Sequence, residues 1–521
     1  IEWTGSQGGV PLFSYILRRL GAVLLVLLGS TFLVYNLTAI SGDPLEGLRL
    51  STEPNAKLLL EMAIKDLQLE IPPPVRYFAW LTGILGFSGA PTFGLTIDGT
   101  QVSDLLALAL PISFRLVIIA TILSILIGIS IGIVSALRQY SRFDYSITFF
   151  AFLFFSLPIF WVAVLLKQFA AIEFNDFLLE PVISPEWMIG LSLVGALFWS
   201  GIIGGTRSKF WITFGAAFGM TFVTLFFISS TGWLLTPSLG PVLVTLMALA
   251  AAVGITQLSN GVSDRRAVTI ALAIAGLTPI FYFVMQPVFS TEFAGWQMLV
   301  LAVLTVLVGA GIGYFAGGDQ RRAIARTGGI TAFVGAGLIV LDRYMQSWND
   351  YYNNEWIFGR PIATVGDATV ELEGDFWLTG IDTFTHLLLP TMALMLISVA
   401  GYVRYSRASL LEVLNQDYIR TARAKGLNER TVIMRHAFRN SLIPLTTIMA
   451  FDFAGVLGGA IITERVFAWR GMGTLFNDGL AAFDLNMVMG VVLITSISAL
   501  LFNLIADLVY AALDPRIRVT K

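Results

Sequence analysis

The sequence contains no cysteine and only two histidines, His386 and His436, in 521 residues. The first absence removes disulfides, thiolate nucleophiles and thiolate metal sites. The second leaves little material for a histidine metal site or a proton relay, so neither a catalytic residue nor a metal ligand is expected. Lysine is scarce too: Lys57, Lys65, Lys167, Lys209, Lys425 and Lys521 complete the set, and none precedes serine or threonine. A phosphate-cradling loop ending in Lys-Ser/Thr therefore has no place in this chain, and if ATP drives the protein, another chain binds it. Charge is the last shortage. Only 13% of residues are charged against 56% hydrophobic, and the mean hydropathy is +0.79. Such a chain is too apolar for a soluble enzyme and reads as an all-α polytopic membrane protein, with no nucleic acid among its expected partners.

What charge there is gathers in one stretch. From Arg404 to Arg439 eight basic residues (Arg404, Arg407, Arg420, Arg423, Lys425, Arg430, Arg435, Arg439) face three acidic ones (Glu412, Asp417, Glu429), a local balance of +5 in a chain of net charge −2. A basic segment between apolar spans belongs in the cytoplasm. Leu410, Leu411, Leu414, Tyr418, Ile419 and Ala422 recur at helical spacing, and Gly426 follows where a left-handed C-cap is wanted. One helix should therefore stop near Lys425. Asn428 is a good N-cap for a second, running through Glu429, Arg430 and Val432 toward Asn440.

Here the sequence resembles a known family. Thr421-Ala-Arg-Ala-Lys-Gly426, followed by Arg435-His-Ala-Phe-Arg-Asn-Ser-Leu-Ile-Pro444, looks like the cytoplasmic "EAA" loop of ABC-importer permeases, in the form of the B-type permease of the oligopeptide/dipeptide/nickel family. Phe13-Ser-Tyr-Ile-Leu-Arg-Arg-Leu20, Ser156-Leu-Pro-Ile-Phe-Trp161, Glu464-Arg-Val-Phe-Ala-Trp-Arg-Gly-Met-Gly473 and Leu513-Asp-Pro-Arg-Ile-Arg518 resemble further parts of it. Arg470 stands where proline is common, which leaves the path of that loop open. The resemblance implies a type I ABC-importer permease core of six spans. It also implies a coupling helix that docks on an ATPase subunit, with Ala422, Ala424 and Gly426 allowing close approach and Arg423, Lys425 and Glu429 making polar contacts beside Thr421 and Leu427. The implied partners are a second permease subunit in a heterodimer, two ATP-binding subunits carrying the ATP and Mg, an external solute-binding protein and the lipid bilayer. No cofactor is implied in this chain. The implied setting is a bacterial or archaeal cytoplasmic (inner) membrane.

Taken in order, residues 1–10 read as a polar lead, and the apolar run after them lacks a small-residue cleavage site, so no signal peptide is expected. Residues 11–40 read as the first span, with Arg18 and Arg19 holding its start inside. Residues 41–104 read as an external segment with an amphipathic piece from Ala56 to Leu69. Its Gly86-Phe-Ser-Gly89 spells a rhomboid-protease motif, but Ser88 lies among Pro and Gly in a polar loop, which speaks against proteolysis. Residues 105–170 hold spans two and three, the latter kinked by Pro158.

Residues 171–341 depart from the family, where a short external loop is usual. Six inserted spans are expected near 187–205, 210–230, 234–256, 267–288, 296–316 and 325–341, which makes about twelve in all with both termini cytoplasmic. Between Lys209 and Asp264 no ionisable residue occurs, which argues against an ion-coupled unit. The insert reads as a helical annex for packing, lipid contact or a partner, or as inert accretion. Residues 342–384 read as an external acidic segment, mainly a solvated face, in which Trp348, Tyr351, Tyr352, Trp356 and Trp377 lie at the membrane interface or against a partner. Residues 385–521 complete the core with the loop 404–440.

Asp452 is the carboxylate nearest mid-membrane, with Gly455, Gly458 and Gly459 beside it as a candidate pathway wall. Two readings stand for Asp452: contact with a cationic group of the substrate, or pairing within the heterodimer seam. A self-sufficient twelve-helix secondary transporter is the alternative class, but it needs internal repeats and coupling carboxylates, and no repeat is visible. Peptide is the expected cargo, with nickel and oligosaccharide open.

Overall fold

The computed structural model describes residues 12–52, 55–87, 91–291 and 293–513, with side chains described except at 12–20, 22–23, 447, 450–451, 453–459 and 506–513. The polar lead, the motif serine Ser88 and the terminal Asp514 to Arg518 lie outside the described residues, and the side chains of Arg18 and Arg19 and the surroundings of the pathway glycines Gly455, Gly458 and Gly459 lie outside them too. Among those described, regular structure is helical apart from one isolated bridge between Leu95 and Gln101.

Among the described residues ten helices are long and apolar enough to cross a membrane, eleven if a bent pair counts as one span. The chain is a multi-pass membrane protein. Each of the ten coincides with an expected span. The bent pair is the expected third span, and the twelfth falls on a helix part of whose side chains lie outside the described residues. The chain divides into two compact units, the first comprising residues 1–167, 365–367 and 387–521 and the second residues 168–364 and 368–386.

The first unit contains α1 (Leu12–Ser41), α2 (Glu46–Leu50), α3 (Ala56–Asp66), α4 (Pro73–Ile84), α5 (Val102–Leu137), α6 (Arg142–Ser156) and α7 (Ile159–Leu165). After the second unit come most of α16 (Phe376–Leu414), then α17 (Asp417–Ala424), α18 (Glu429–Thr431), α19 (Phe438–Val466), α20 (Met472–Ala481) and α21 (Leu485–Leu513). Pro158 breaks its span outright: α6 stops at Ser156, and the chain turns by 101° before resuming at Ile159. The proline ring removes a helical donor and biases Leu157 toward extended backbone, seen as ψ 133°.

Near Arg470 the path follows a buried carboxylate. Glu464 Oε1 accepts from Ser113 Oγ at 2.6 Å and Oε2 from Thr474 N at 3.0 Å, while Ser113 Oγ accepts from Met472 N at 2.7 Å. Glu464 thus satisfies donors at the start of α20. Gly471 and Gly473 leave no room for a Cβ against it.

The second unit, taken by itself, holds α8 (Glu173–Leu179), α9 (Pro185–Ile203), α10 (Arg207–Thr231), α11 (Gly240–Ser259), α12 (Arg265–Gly276), α13 (Thr278–Phe289), α14 (Gly295–Ala316) and α15 (Arg321–Tyr352). α14 and α15 meet backbone to backbone, since a Cβ on Gly309 would lie 2.5 Å from the carbonyl oxygen of Gly328, and one on Gly313 2.5 Å from that of Ile324. Small residues permit this approach where lipid supplies no hydrophobic drive.

In the acidic stretch 342–384, Asp350, Glu355, Glu371, Glu373 and Asp375 are exposed, as a solvated face requires, but two acids and one tryptophan depart from it. α15 continues to Tyr352, Asp342 and Trp377 are fully buried, and Asp382 nearly so. Asp342 accepts from the Leu239 and Gly240 backbone N–H groups, from Tyr282 OH at 2.6 Å and from Gln346 Nε2 at 2.7 Å. Trp377 packs on Phe289 and Phe293 and donates to the Phe289 carbonyl at 3.0 Å. Buried donors recruited these residues away from water. Asp342→Ala, which leaves those donors unpaired, should cost about 3 kcal/mol, read as a lowered thermal unfolding midpoint of the purified chain, with Asp342→Asn between it and the parent.

Candidate functional site

The basic segment folds as a helix, a turn and a helix, with one more break than its spacing suggests. α16 ends at Leu414, and α17 starts afresh at Asp417 after Gln416 adopts extended backbone (ψ 150°). Asn415 is a weak helix former, and Asp417 is favoured at the positive end of the new helix. α17 closes at Ala424, Gly426 takes φ +75°, and Asn428 Oδ1 accepts from Thr431 N at 2.8 Å. The second helix does not stop near Asn440. It passes through an underwound π-helical stretch, Val432–Ala437, and runs straight into α19.

A small apolar cluster supports the turn from beneath. Ala136, Leu410, Ile419, Ala422, Val432 and Ala437 are buried together, with Ile133, Leu411, Val413 and Leu414 packed around them. Asn440 Nδ2 donates to Tyr418 OH at 3.0 Å, and Ser409 Oγ to the Ser441 carbonyl at 2.9 Å. Of the residues singled out from the sequence, Ala422 belongs to this footing. Thr421, Arg423, Ala424, Lys425, Gly426, Leu427 and Glu429 are exposed, with Leu427 presenting an apolar side chain at 41% exposure between basic neighbours.

Arg423 and Glu429 face one another across the turn, Nη2 to Oε1 at 2.7 Å and Nε to Oε2 at 3.2 Å. The hydrogen bond from Arg423 is the main reason the Glu429 carboxyl sits below its ordinary range. A depressed folded pKa means that the contact is fully present above the ordinary glutamate value and is lost as pH falls through the lowered one. Both groups are exposed, so the pair adds little stability, but it fixes the shape of the turn. A spin label on Leu427→Cys, the sole cysteine in such a chain, should keep its mobility from pH 7 down past the ordinary carboxylate range and loosen only below it. Glu429→Gln should be loose throughout.

The strongest polar contact of the loop was not singled out by sequence. Asp144, at 2% exposure, accepts from Arg407 Nε at 2.7 Å and Nη2 at 2.9 Å, from Ser135 Oγ at 2.5 Å and from Tyr140 N at 3.0 Å. This bidentate, fully hydrogen-bonded pair clamps α16 to the turn between α5 and α6. Its partners stand 263 residues apart, and no local pattern announces it. A second omission had a legible signal: Gly128-x-x-x-Gly132 in α5 is a close-approach motif. A Cβ on Gly132 would collide with Ser406 Oγ and lie 2.8 Å from the Val403 carbonyl oxygen, and one on Gly128 would lie 2.5 Å from Tyr402 Cβ and 3.1 Å from the Val399 carbonyl oxygen, so the bare backbone of α5 lies directly against α16.

Asp452 is half-buried in α19. The buried Tyr402 hydroxyl faces it without reaching hydrogen-bond geometry. Among the described residues no group of three or more Asp, Glu, His or Cys side chains is arranged to hold a metal ion.

Comparison with known proteins locates the chain. The family described as binding-protein-dependent transport system inner membrane component matches residues 128–519. The chain is 40% identical over 166 residues to the oligopeptide transport system permease protein OppB of Mycobacterium tuberculosis (strain ATCC 25618 / H37Rv), covering 32% of this chain and 51% of that protein. It is 43% identical over 136 residues to the oligopeptide transport system permease protein AppB of Bacillus subtilis (strain 168), covering 26% and 43%. It is 41% identical over 144 residues to the glutathione transport system permease protein GsiC of Escherichia coli (strain K12), covering 27% and 47%. The chain thus spans about half the length of the curated relatives it matches.

Proposed function

The chain belongs to the binding-protein-dependent transport system inner membrane components, and from that premise we propose that it is one permease subunit of an ATP-driven importer of short peptides. The peptide reading follows the relatives' names, two of which specify oligopeptides and one glutathione. A second permease would pair with it, two ATPase subunits would carry the ATP and Mg, and an external binding protein would deliver cargo. The loop 404–440 lies on the cytoplasmic side, and both termini with it.

One observation carries this reading. The turn Thr421–Glu429 offers a basic, partly apolar outer edge on a footing that is packed and ion-paired. A surface meant only to be solvated needs no such footing. ATPase closure upon ATP binding would press on this edge, moving α16 and α19 together because the turn is joined directly to both. The pathway would switch from inward to outward facing, and hydrolysis would reset it. The chain's part is mechanical, and the chemistry belongs to its partners.

Co-purification from the native membrane tests the proposal. Two ATP-binding polypeptides and a second permease should accompany the chain, and ATP hydrolysis should rise when a loaded binding protein is added. A chain that purifies alone and moves solute down an ion gradient would establish the secondary-transporter reading instead.

A further inference from the structure

At one end of the second unit α12, α14 and α15 come together, with Ala267, Ile270 and Ile274 packed on Ile312 and Ile324 beneath. Five arginines stand there: Arg265 and Arg266 open α12, and Arg321, Arg322 and Arg326 lie in the first two turns of α15. All five are exposed. Among the described residues none of them makes an ion pair. The carboxylates nearest in sequence do not offset them. Asp264 Oδ1 is used to cap α12, accepting from the Arg266 and Ala267 backbone N–H groups at 3.1 Å, and Asp319 is exposed.

Two of the arginines are held in place. Arg266 Nε donates to the Ala316 carbonyl at 2.8 Å, at the negative end of α14, and a Cβ on Gly318 would collide with its Nη1. Arg321, three residues on from Gly318, sets its guanidinium carbon 5.1 Å from the centre of the Tyr314 ring. Two guanidinium groups are thus fixed at one Gly317-Gly318 turn, and Arg322 and Arg326 share a face of α15 beside it. Like charges gathered in this way repel one another and gain from a common anion, for which a phosphate group has the matching geometry.

The outer side of the same end is apolar. Phe315 is 87% exposed, and a stripe of α14 carrying the exposed Leu304, Leu307 and Val308 leads up to it. Gly311 leaves a notch in that stripe, since no atom lies within 4 Å of where its Cβ would sit. A free anion makes no use of such a stripe, whereas a phosphate that carries acyl chains uses both parts. We propose that this end of the second unit binds an anionic phospholipid, its phosphate held by Arg266 and Arg321 with Arg322 beside them, and one acyl chain lying along α14 at Gly311. The inserted region is then an anchor to anionic lipid, a role that does not depend on the transport reading.

Native mass spectrometry of the full chain, released from detergent with added lipid, tests this. Phosphatidylglycerol should be retained about tenfold better than phosphatidylcholine of the same chain length. Neither inorganic phosphate nor glycerophosphoglycerol, which lacks the chains, should displace it. Arg321→Gln combined with Arg322→Gln should lower its retention about tenfold. Arg138→Gln combined with Arg142→Gln, which removes equal charge from exposed positions flanking the turn between α5 and α6, should leave it nearly unchanged. Gly311→Phe, which fills the notch, should weaken phosphatidylglycerol without removing a charge. Equal retention of the two lipids, displacement by inorganic phosphate, equal losses in the two double variants, or a second copy of the chain seated on this end in place of lipid would overturn the proposal. Should the α15 double variant fail to fold, the lipid comparison on the unaltered chain and the Gly311→Phe variant still decide.

Discussion

Arg407→Ala is expected to cost about 3 kcal/mol of stability and to disconnect the loop 404–440 from the turn between α5 and α6. The cost arises because Asp144 stays behind at 2% exposure with its charge uncompensated, and breaking one side of a buried pair is far costlier than the pair is worth. The Arg407 side chain is 27% exposed, so water can reach part of the vacated space, which sets the estimate at the low end of the usual range of about 3–5 kcal/mol. Asp144→Ala alone should be milder, since the arginine can turn to water. The double variant should be more stable than the sum of the two single losses implies. Thermal unfolding of the four proteins measures the cycle. Equal and additive losses would mean that the pair, for all its good geometry, is energetically idle. In transport assays Arg407→Ala should leave ATP hydrolysis running in the partner subunits while uptake falls at least tenfold.

Gly426→Val should uncouple the system by a different route. At φ +75° a β-branched residue is held where L side chains are strained, at a cost of roughly 1–2 kcal/mol or more. No atom lies within 4 Å of where its Cβ would sit, so the penalty is conformational rather than steric. That distinction supplies the control: Gly426→Asn, which tolerates the left-handed region, should retain most activity. The valine variant should reach the membrane and keep basal ATP hydrolysis in the complex, while stimulation by loaded binding protein and peptide uptake both fall about tenfold. Normal uptake by the valine variant would remove the turn from the coupling pathway. Equal failure of valine and asparagine would mean that a bare backbone is needed there for close approach.

Much of this architecture is legible in the sequence, and the parts that are not share a cause. Apolar length marks the spans because a lipid environment demands it, which is why the long apolar helices between α9 and α15 overlap the expected spans. Pro158, Gly426 and Asn428 act on their own backbone and so can be read one residue at a time. The Asp144–Arg407 clamp cannot, since it depends on two distant segments meeting. Asp342 and Asp382 misled for the opposite reason: a run of acids looks solvated until folding brings buried donors to it. The break at Asn415 and Gln416 is intermediate, a weak local preference overridden in a pattern-based reading by the surrounding leucines.

The contact of Gly128 and Gly132 with Val399 and Val403 carries one more consequence, for compliance. Side chains between two helices act as cushions, because each can change rotamer and absorb a fraction of an ångström before its neighbour feels anything. Where the bare main chain of α5 rests against the carbonyls of Val399 and Val403, Tyr402 Cβ and Ser406 Oγ, little such slack is left, and displacement of one helix is displacement of the other. The joint between α5 and α16 should therefore behave as a stiff lever, with the deformation taken up at its softer ends, the broken span at Pro158 and the underwound turn at Val432–Ala437. A single methyl at Gly132 would push against Ser406 Oγ and the Val403 carbonyl and prise the two helices apart, so that a displacement of one would reach the other diminished.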